Sequence, residues 1–240
     1  MKVFILAGGL GTRLAEYTKT IPKPMVKILG YPILIHILKH YIKFGFSEFY
    51  IAVGYKGYVI KKYFKKFKKD GEPFNFLISK KNCKITIVNT GLKTLTGGRL
   101  KRLESYLEKN ETFFFTYGDG ISSVNLKKLL SNHLKMKKIV TVTAVRPPAR
   151  FGELKIKGSK VVSFKEKPQI NQGWINGGFF VAQKKFLNLI KKDNDILEKK
   201  PLELASKSGQ LNAFKHRGFW KCMDTIRDKQ VIEELLKKKR

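Results

Sequence analysis

Cysteine is nearly absent. Cys83 and Cys222 are the only two in 240 residues, too few for a disulfide framework, and no CxxC pair or Cys/His spacing marks a zinc centre. That usage fits a reducing, cytoplasmic compartment. Acidic residues are also scarce, with 18 Asp and Glu against 50 Lys and Arg, for a formal charge of +32. A long apolar run is missing as well. The stretch Val3-Phe4-Ile5-Leu6-Ala7 gives way to Gly8-Gly9-Leu10-Gly11-Thr12-Arg13, which is not a small-residue cleavage site. Nothing approaches the ~20 apolar residues of a membrane helix. The expectation is a soluble, unexported protein with no membrane partner.

The basic excess raises nucleic acid as a partner. It consists overwhelmingly of lysines spread along the whole chain, as in Lys61-Lys62, Lys65-Lys66 and Lys68-Lys69. A single-strand-binding surface would cluster arginines among exposed aromatics. We read the charge as a solvated surface with some attraction for polyanions, and not as a nucleic-acid site.

What is present is enough apolar material for a core, at 42% of the sequence; a domain of this size buries roughly 70% of its unfolded surface. Short apolar runs alternate with amphipathic stretches. Residues 2–7, 49–53, 86–88, 112–117 and 139–145 read as buried strands. Helical spacing marks residues 33–44, 58–69, 100–108 and 126–136. This alternation predicts a Rossmann-like α/β fold, a mostly parallel mixed sheet flanked by helices. In the second half, residues 154–156 and 161–164 read as a β-hairpin around Lys157-Gly158-Ser159-Lys160. A strand over 174–181, a helix from about Lys184, a short helix over 201–208, a strand over 211–214 and a helix over 224–238 complete the pattern. With no repeat or linker, one domain spanning 1–240 is the simplest organisation.

The glycine-rich loop follows the first strand directly, where free backbone N–H groups approach a phosphate chain. It lacks the GxxxxGK[ST] spacing of a Walker A loop. It also departs from a dinucleotide fingerprint, with Leu14 where Gly or Ala belongs and Gly54-Tyr55-Lys56 in place of an acid after the second strand. LAGGLGTRL with Lys23 inside Pro22-Lys23-Pro24-Met25 resembles the signature of the sugar-nucleotide pyrophosphorylases. Further segments resemble their cytidylyltransferase branch, in the expected order: Thr96-Gly97-Gly98-Arg99, Tyr117-Gly118-Asp119-Gly120, Glu166-Lys167-Pro168, Ile175-Asn176-Gly177-Gly178, Gly218-Phe219-Trp220 and Met223-Asp224-Thr225. The likeness covers nearly the whole chain.

The resemblance implies a nucleotide-binding half over about 1–145 and a sugar-phosphate-binding half, containing the hairpin, over about 146–240. It implies CTP, ahead of UTP or dTTP, and glucose 1-phosphate as substrates, and a homo-oligomer. Asp119 and Asp224 would hold Mg²⁺. Taken alone, the first reads equally as a turn residue and the second as a helix cap. Arg13 would grip the departing phosphates through its donor fork, Lys23 would neutralise the α-phosphate, and Lys167 would bind the sugar phosphate. Backbone around Leu6, Ala7, Gly8, Gly9, Leu10, Gly11 and Thr12, with Thr94, Arg99 and Gly118, would hold the nucleotide. Glu166 and Asn176 would bind sugar hydroxyls. Trp220 either covers the sugar or packs in the core.

Overall fold

The first apolar run forms strand β1 (Lys2–Ala7), whose alternating side chains serve two cores at once. Val3, Ile5 and Ala7 join one hydrophobic cluster, and Phe4 and Leu6 join another on the opposite face of the sheet. The computed structural model describes residues 1–146, 153–165 and 173–238.

Seven further strands complete the sheet: β2 (Glu48–Val53), β3 (Pro73–Ile78), β4 (Lys81–Asn89), β5 (Thr112–Tyr117), β6 (Val140–Val145), β7 (Ile175–Gln183) and β8 (Leu211–His216). Their spatial order is β8-β6-β7-β5-β1-β2-β4-β3. Pairings β1–β2, β1–β5, β2–β4 and β6–β8 are parallel; β7 runs antiparallel between β5 and β6, and β3 antiparallel against β4. The sheet is thus mixed and mostly parallel, with residues of both halves interleaved in it.

Helices cover both faces. Against the first cluster lie α1 (Ile33–Lys43), α2 (Gly57–Tyr63), α4 (Leu126–Met136) and α6 (Ile226–Lys237); α3 (Thr96–Lys101) and α5 (Lys200–Lys207) pack on the second. From β1 the chain runs outward through β2 to β4, then crosses back to β5 on the other side of β1. The strand order therefore reverses between β1 and β5, and ligands of open α/β sheets gather beyond the carboxyl ends of such strands.

The helix expected from about Lys184 is a 3₁₀ segment over Lys184–Leu189, and three further stretches depart from the sequence expectation. The helix expected over 58–69 ends at Tyr63, because fully buried Phe64 leaves helical backbone and packs on Phe74 and Phe76, with ring centroids 5.9 and 5.0 Å away. Strand β3 was not anticipated. It joins β4 through Ser79 and Lys80, both in left-handed backbone (φ 51° and 63°), so a tight hairpin turn forms without the usual Asn-Gly signal. The helix expected over 100–108 divides into α3 and a short 3₁₀ turn at Glu104–Tyr106. The hairpin of the second half is present, Glu153–Lys157 pairing with Lys160–Lys165. Among the described residues, no helix is long and apolar enough to cross a membrane.

Candidate active site

A cleft of about 500 Å³ opens where the strand order reverses. The loop after β1 forms one side: Tyr55 N donates to Gly8 O (3.1 Å), and the loop turns into a 3₁₀ segment at Gly11. A Cβ on Gly8 would overlap the guanidinium of Arg99, so glycine lets this loop lie flat on that side chain.

Two carboxylates from distant parts of the chain meet opposite the loop. Asp119 ends β5. Asp224 precedes α6, and a small antiparallel pair, Gly120–Ser122 with Trp220–Cys222, draws the two segments together; Met223 N donates to Asp119 O (2.9 Å). The cap of α6 is Thr225, closed by reciprocal bonds with Asp228. Asp224 is therefore not the cap, and its side chain faces the cleft.

Lys23 bridges the pair. Its Nζ lies 2.6 Å from Asp119 Oδ2 and 2.7 Å from Asp224 Oδ1, while Arg13 Nη1 donates to Asp224 Oδ2 at 2.9 Å. Burial by itself would lower the Lys23 pKa, but Asp119, with help from Asp224, outweighs it and holds the ammonium above its ordinary value. Arg13 is 73% exposed at its side chain, against 10% for Lys23.

These residues fit a hard divalent cation. Asp119, Cys222 and Asp224 each present one donor atom within 4.8 Å of the others. The space between the carboxylates already takes a positive group, the Lys23 ammonium. Burial, reinforced by Asp119, pushes the Cys222 thiol far above its ordinary range, so the oxygen donors are the ligands that suit magnesium.

The sequence matches the nucleotidyl transferase family model over residues 2–225. The chain belongs to the nucleotidyl transferase family. It is 45% identical to a glucose-1-phosphate cytidylyltransferase of Salmonella typhimurium, over 99% of this chain and 96% of that relative. A probable glucose-1-phosphate cytidylyltransferase of Bacillus subtilis is 40% identical, over 98% and 96% of the two chains. Among solved structures, HddC from Yersinia pseudotuberculosis superposes with a TM-score of 0.73 at 28% identity, covering 98% of this chain and 99% of that one.

In this nucleotidyl transferase the cleft brings together most residues singled out from the sequence. Leu6, Ala7, Gly8, Gly9, Gly11, Thr12 and Arg13 line the loop side; Lys23, Gly118, Asp119 and Asp224 lie at the carboxylates; Thr94 and Arg99 form another wall; Asn176 and Trp220 a third. Leu10 does not line it and is 53% exposed. Glu166 and Lys167 lie outside the described residues. Trp220 lines the cleft and packs against the first cluster, with its Nε1 donating to Gly177 O (2.7 Å).

Arg99 is bound more tightly to the protein than a base-reading donor alone requires. Nη1 donates to Thr90 Oγ1 and Gly91 O, both at 2.7 Å, and Nη2 to Leu92 O at 3.3 Å. Burial and neighbouring Arg102 lower its pKa, yet a guanidinium stays charged. Sequence reasoning missed Tyr117, Glu198 and Cys222 as cleft residues. Tyr117 and Cys222 each sit two residues from a named aspartate, a usable signal; Glu198 had none.

Proposed function

We propose that this enzyme joins CTP to glucose 1-phosphate, giving CDP-glucose and pyrophosphate. A phosphate oxygen of the sugar 1-phosphate forms the new bond to the α-phosphorus. The bond to the β-phosphate bridge breaks, and pyrophosphate leaves with that electron pair. The attacking oxygen is already ionised, so the reaction needs no general base; it needs opposed anions brought together. The observation that carries this reading is the Asp119–Lys23–Asp224 cluster, with Arg13 beside it, at the crevice end of the sheet. The near full-length likeness to cytidylyltransferases supports the choice of base and sugar.

Asp119 and Asp224 would hold Mg²⁺, which when bound neutralises phosphate charge. Lys23 supplies a cation from an almost buried position, where low dielectric strengthens its pull on phosphate. Arg13, exposed at the cleft mouth, offers its planar fork to the phosphates that leave. Cysteine usage puts the enzyme in the cytoplasm, and the sequence resemblance makes it a homo-oligomer.

The deciding experiment measures pyrophosphate release with glucose 1-phosphate and Mg²⁺, comparing CTP, UTP, dTTP, GTP and ATP, alongside D119A. Release with CTP, lost in the variant, supports the reading. Preference for another triphosphate overturns the base assignment. Silence with all five sinks glucose 1-phosphate as the substrate.

A further inference from the structure

Residues 193–198 form a strap over α3, fastened at each step. Leu95 N donates to Asp193 O, Gly97 N to Asp195 O, and Leu197 N to Thr96 Oγ1, all at 2.9 Å. Asp193 takes both arms of Arg102 at 2.9 and 2.5 Å. Asp195 accepts from the backbone of Lys191 and Lys192 at 2.7 and 3.0 Å. The strap explains Gly97-Gly98, since a Cβ on Gly97 would stand 2.7 Å from Asp195 O and one on Gly98 would overlap the backbone of Asp193. At its end, Leu197 is buried and the next residue, Glu198, is exposed and lines the cleft.

The Glu198 carboxylate is flanked on two sides. Thr96 Oγ1 donates to its Oε2 at 2.8 Å, and the Tyr117 phenol lies beside it. Tyr117 Oη in turn accepts from Asn176 Nδ2 at 3.3 Å. Burial, strengthened by Glu198, keeps the Tyr117 phenol protonated. A carboxylate offers about four acceptor sites, and Thr96 occupies one of them here.

We propose that Glu198 is a specificity-determining residue that accepts a hydrogen bond from a hydroxyl of the sugar 1-phosphate. The inference rests on the proposed nucleotidyl transfer. A carboxylate repels phosphates, so the phosphate-bearing parts of both substrates belong with Arg13 and Lys23, and a neutral donor faces Glu198. Glu198 lies one tyrosine away from Asn176, an amide donor. Acceptor and donor side by side suit a sugar hydroxyl, which donates and accepts together. An amino group of the base is the rival donor.

The test compares wild type, E198Q and E198A with CTP, glucose 1-phosphate and its 2-, 3-, 4- and 6-deoxy analogues, with thermal midpoints to show that each variant folds. Expected is an about 10- to 100-fold loss of kcat/KM for the sugar 1-phosphate in E198A, a smaller loss in E198Q, and a KM for CTP within about twofold. One deoxy analogue should cost wild type a similar factor and cost E198A nothing further. A loss carried by the KM for CTP assigns the residue to the base instead. Unchanged discrimination across all analogues also overturns the proposal. The wild-type rate reports separately on the transfer reaction; if another sugar 1-phosphate turns over instead, its deoxy series carries the same comparison.

Discussion

The Lys23 ammonium stands 2.6 Å from the Asp119 carboxylate, with Asp224 on its other flank. Without a metal it keeps two carboxylates together that would otherwise repel. K23M should therefore weaken the metal-free protein by about 1–3 kcal/mol, the cost of stranding charges that are only partly desolvated. Mg²⁺ should restore more thermal stability to K23M than it adds to wild type. Turnover should fall ~10²–10³-fold through loss of phosphate stabilisation. Differential scanning fluorimetry with and without Mg²⁺ and a pyrophosphate assay check each part.

Removing either proposed metal ligand should separate binding from folding. D119A and D224A leave Lys23 one partner each, so the fold should persist while the affinity for Mn²⁺, used as a paramagnetic substitute, drops at least ~10-fold. Relaxation titration measures this without any turnover. Wild-type affinity in either variant would remove that aspartate from the ligand set.

Arg13 is so exposed that its pairing with Asp224 contributes little to stability. R13Q should shift the thermal midpoint negligibly and lower kcat/KM by ~10²-fold or more, as expected for one lost charge-assisted phosphate contact. A destabilised variant with normal kinetics would reverse these roles.

His133 provides a pH signature unconnected with the cleft. It is buried, its Nδ1 lies 2.9 Å from Thr141 Oγ1, and burial pushes its pKa down to about 4. The unfolded chain, with an ordinary value near ~6.5, binds a proton that the folded state refuses. Its contribution is present above pH ~6.5 and fades as pH falls toward about 4, amounting to about 2–3 kcal/mol. Burial pushes His40 down to about 4 as well, so urea denaturation should show the two slopes together and H133Q should remove about half.

Gly98 permits the strap at residues 193–198 to lie on α3, so G98A should displace it. A stability loss of about 1–3 kcal/mol is expected from this overlap, with a weaker hold on the sugar 1-phosphate through Glu198. Urea midpoints and KM values measure the two effects separately.

The parts legible in the sequence were those where one local signal matched the tertiary environment. Residues 2–7, 112–117 and 126–136 appear in the structure as read, because uninterrupted apolar runs became doubly covered strands and a clean amphipathic period became α4. Where tertiary packing overrode local pattern, the reading failed. Phe64 turns away from a helical period to join the Phe74 and Phe76 side chains, and a Ser-Lys pair makes a turn that composition does not announce. Asp119 and Asp224 were legible through their motifs. Glu198 was not: among Lys191, Lys192, Asp193, Asn194 and Asp195 it reads as one more residue of a solvated loop, and only docking on Gly97-Gly98 brings it to the cleft.

Lys23 and Asp224 are separated by 201 positions, and they meet only through the small strand pair that precedes α6. An amino-terminal fragment that stops at the end of β8 would carry all eight strands and the glycine loop, but only one of the two carboxylates. During synthesis on the ribosome, the Asp119–Lys23–Asp224 cluster therefore cannot close until the last segment has emerged. The same final segment carries the buried Met223 and Ile232, so the cluster and that part of the core would be completed together.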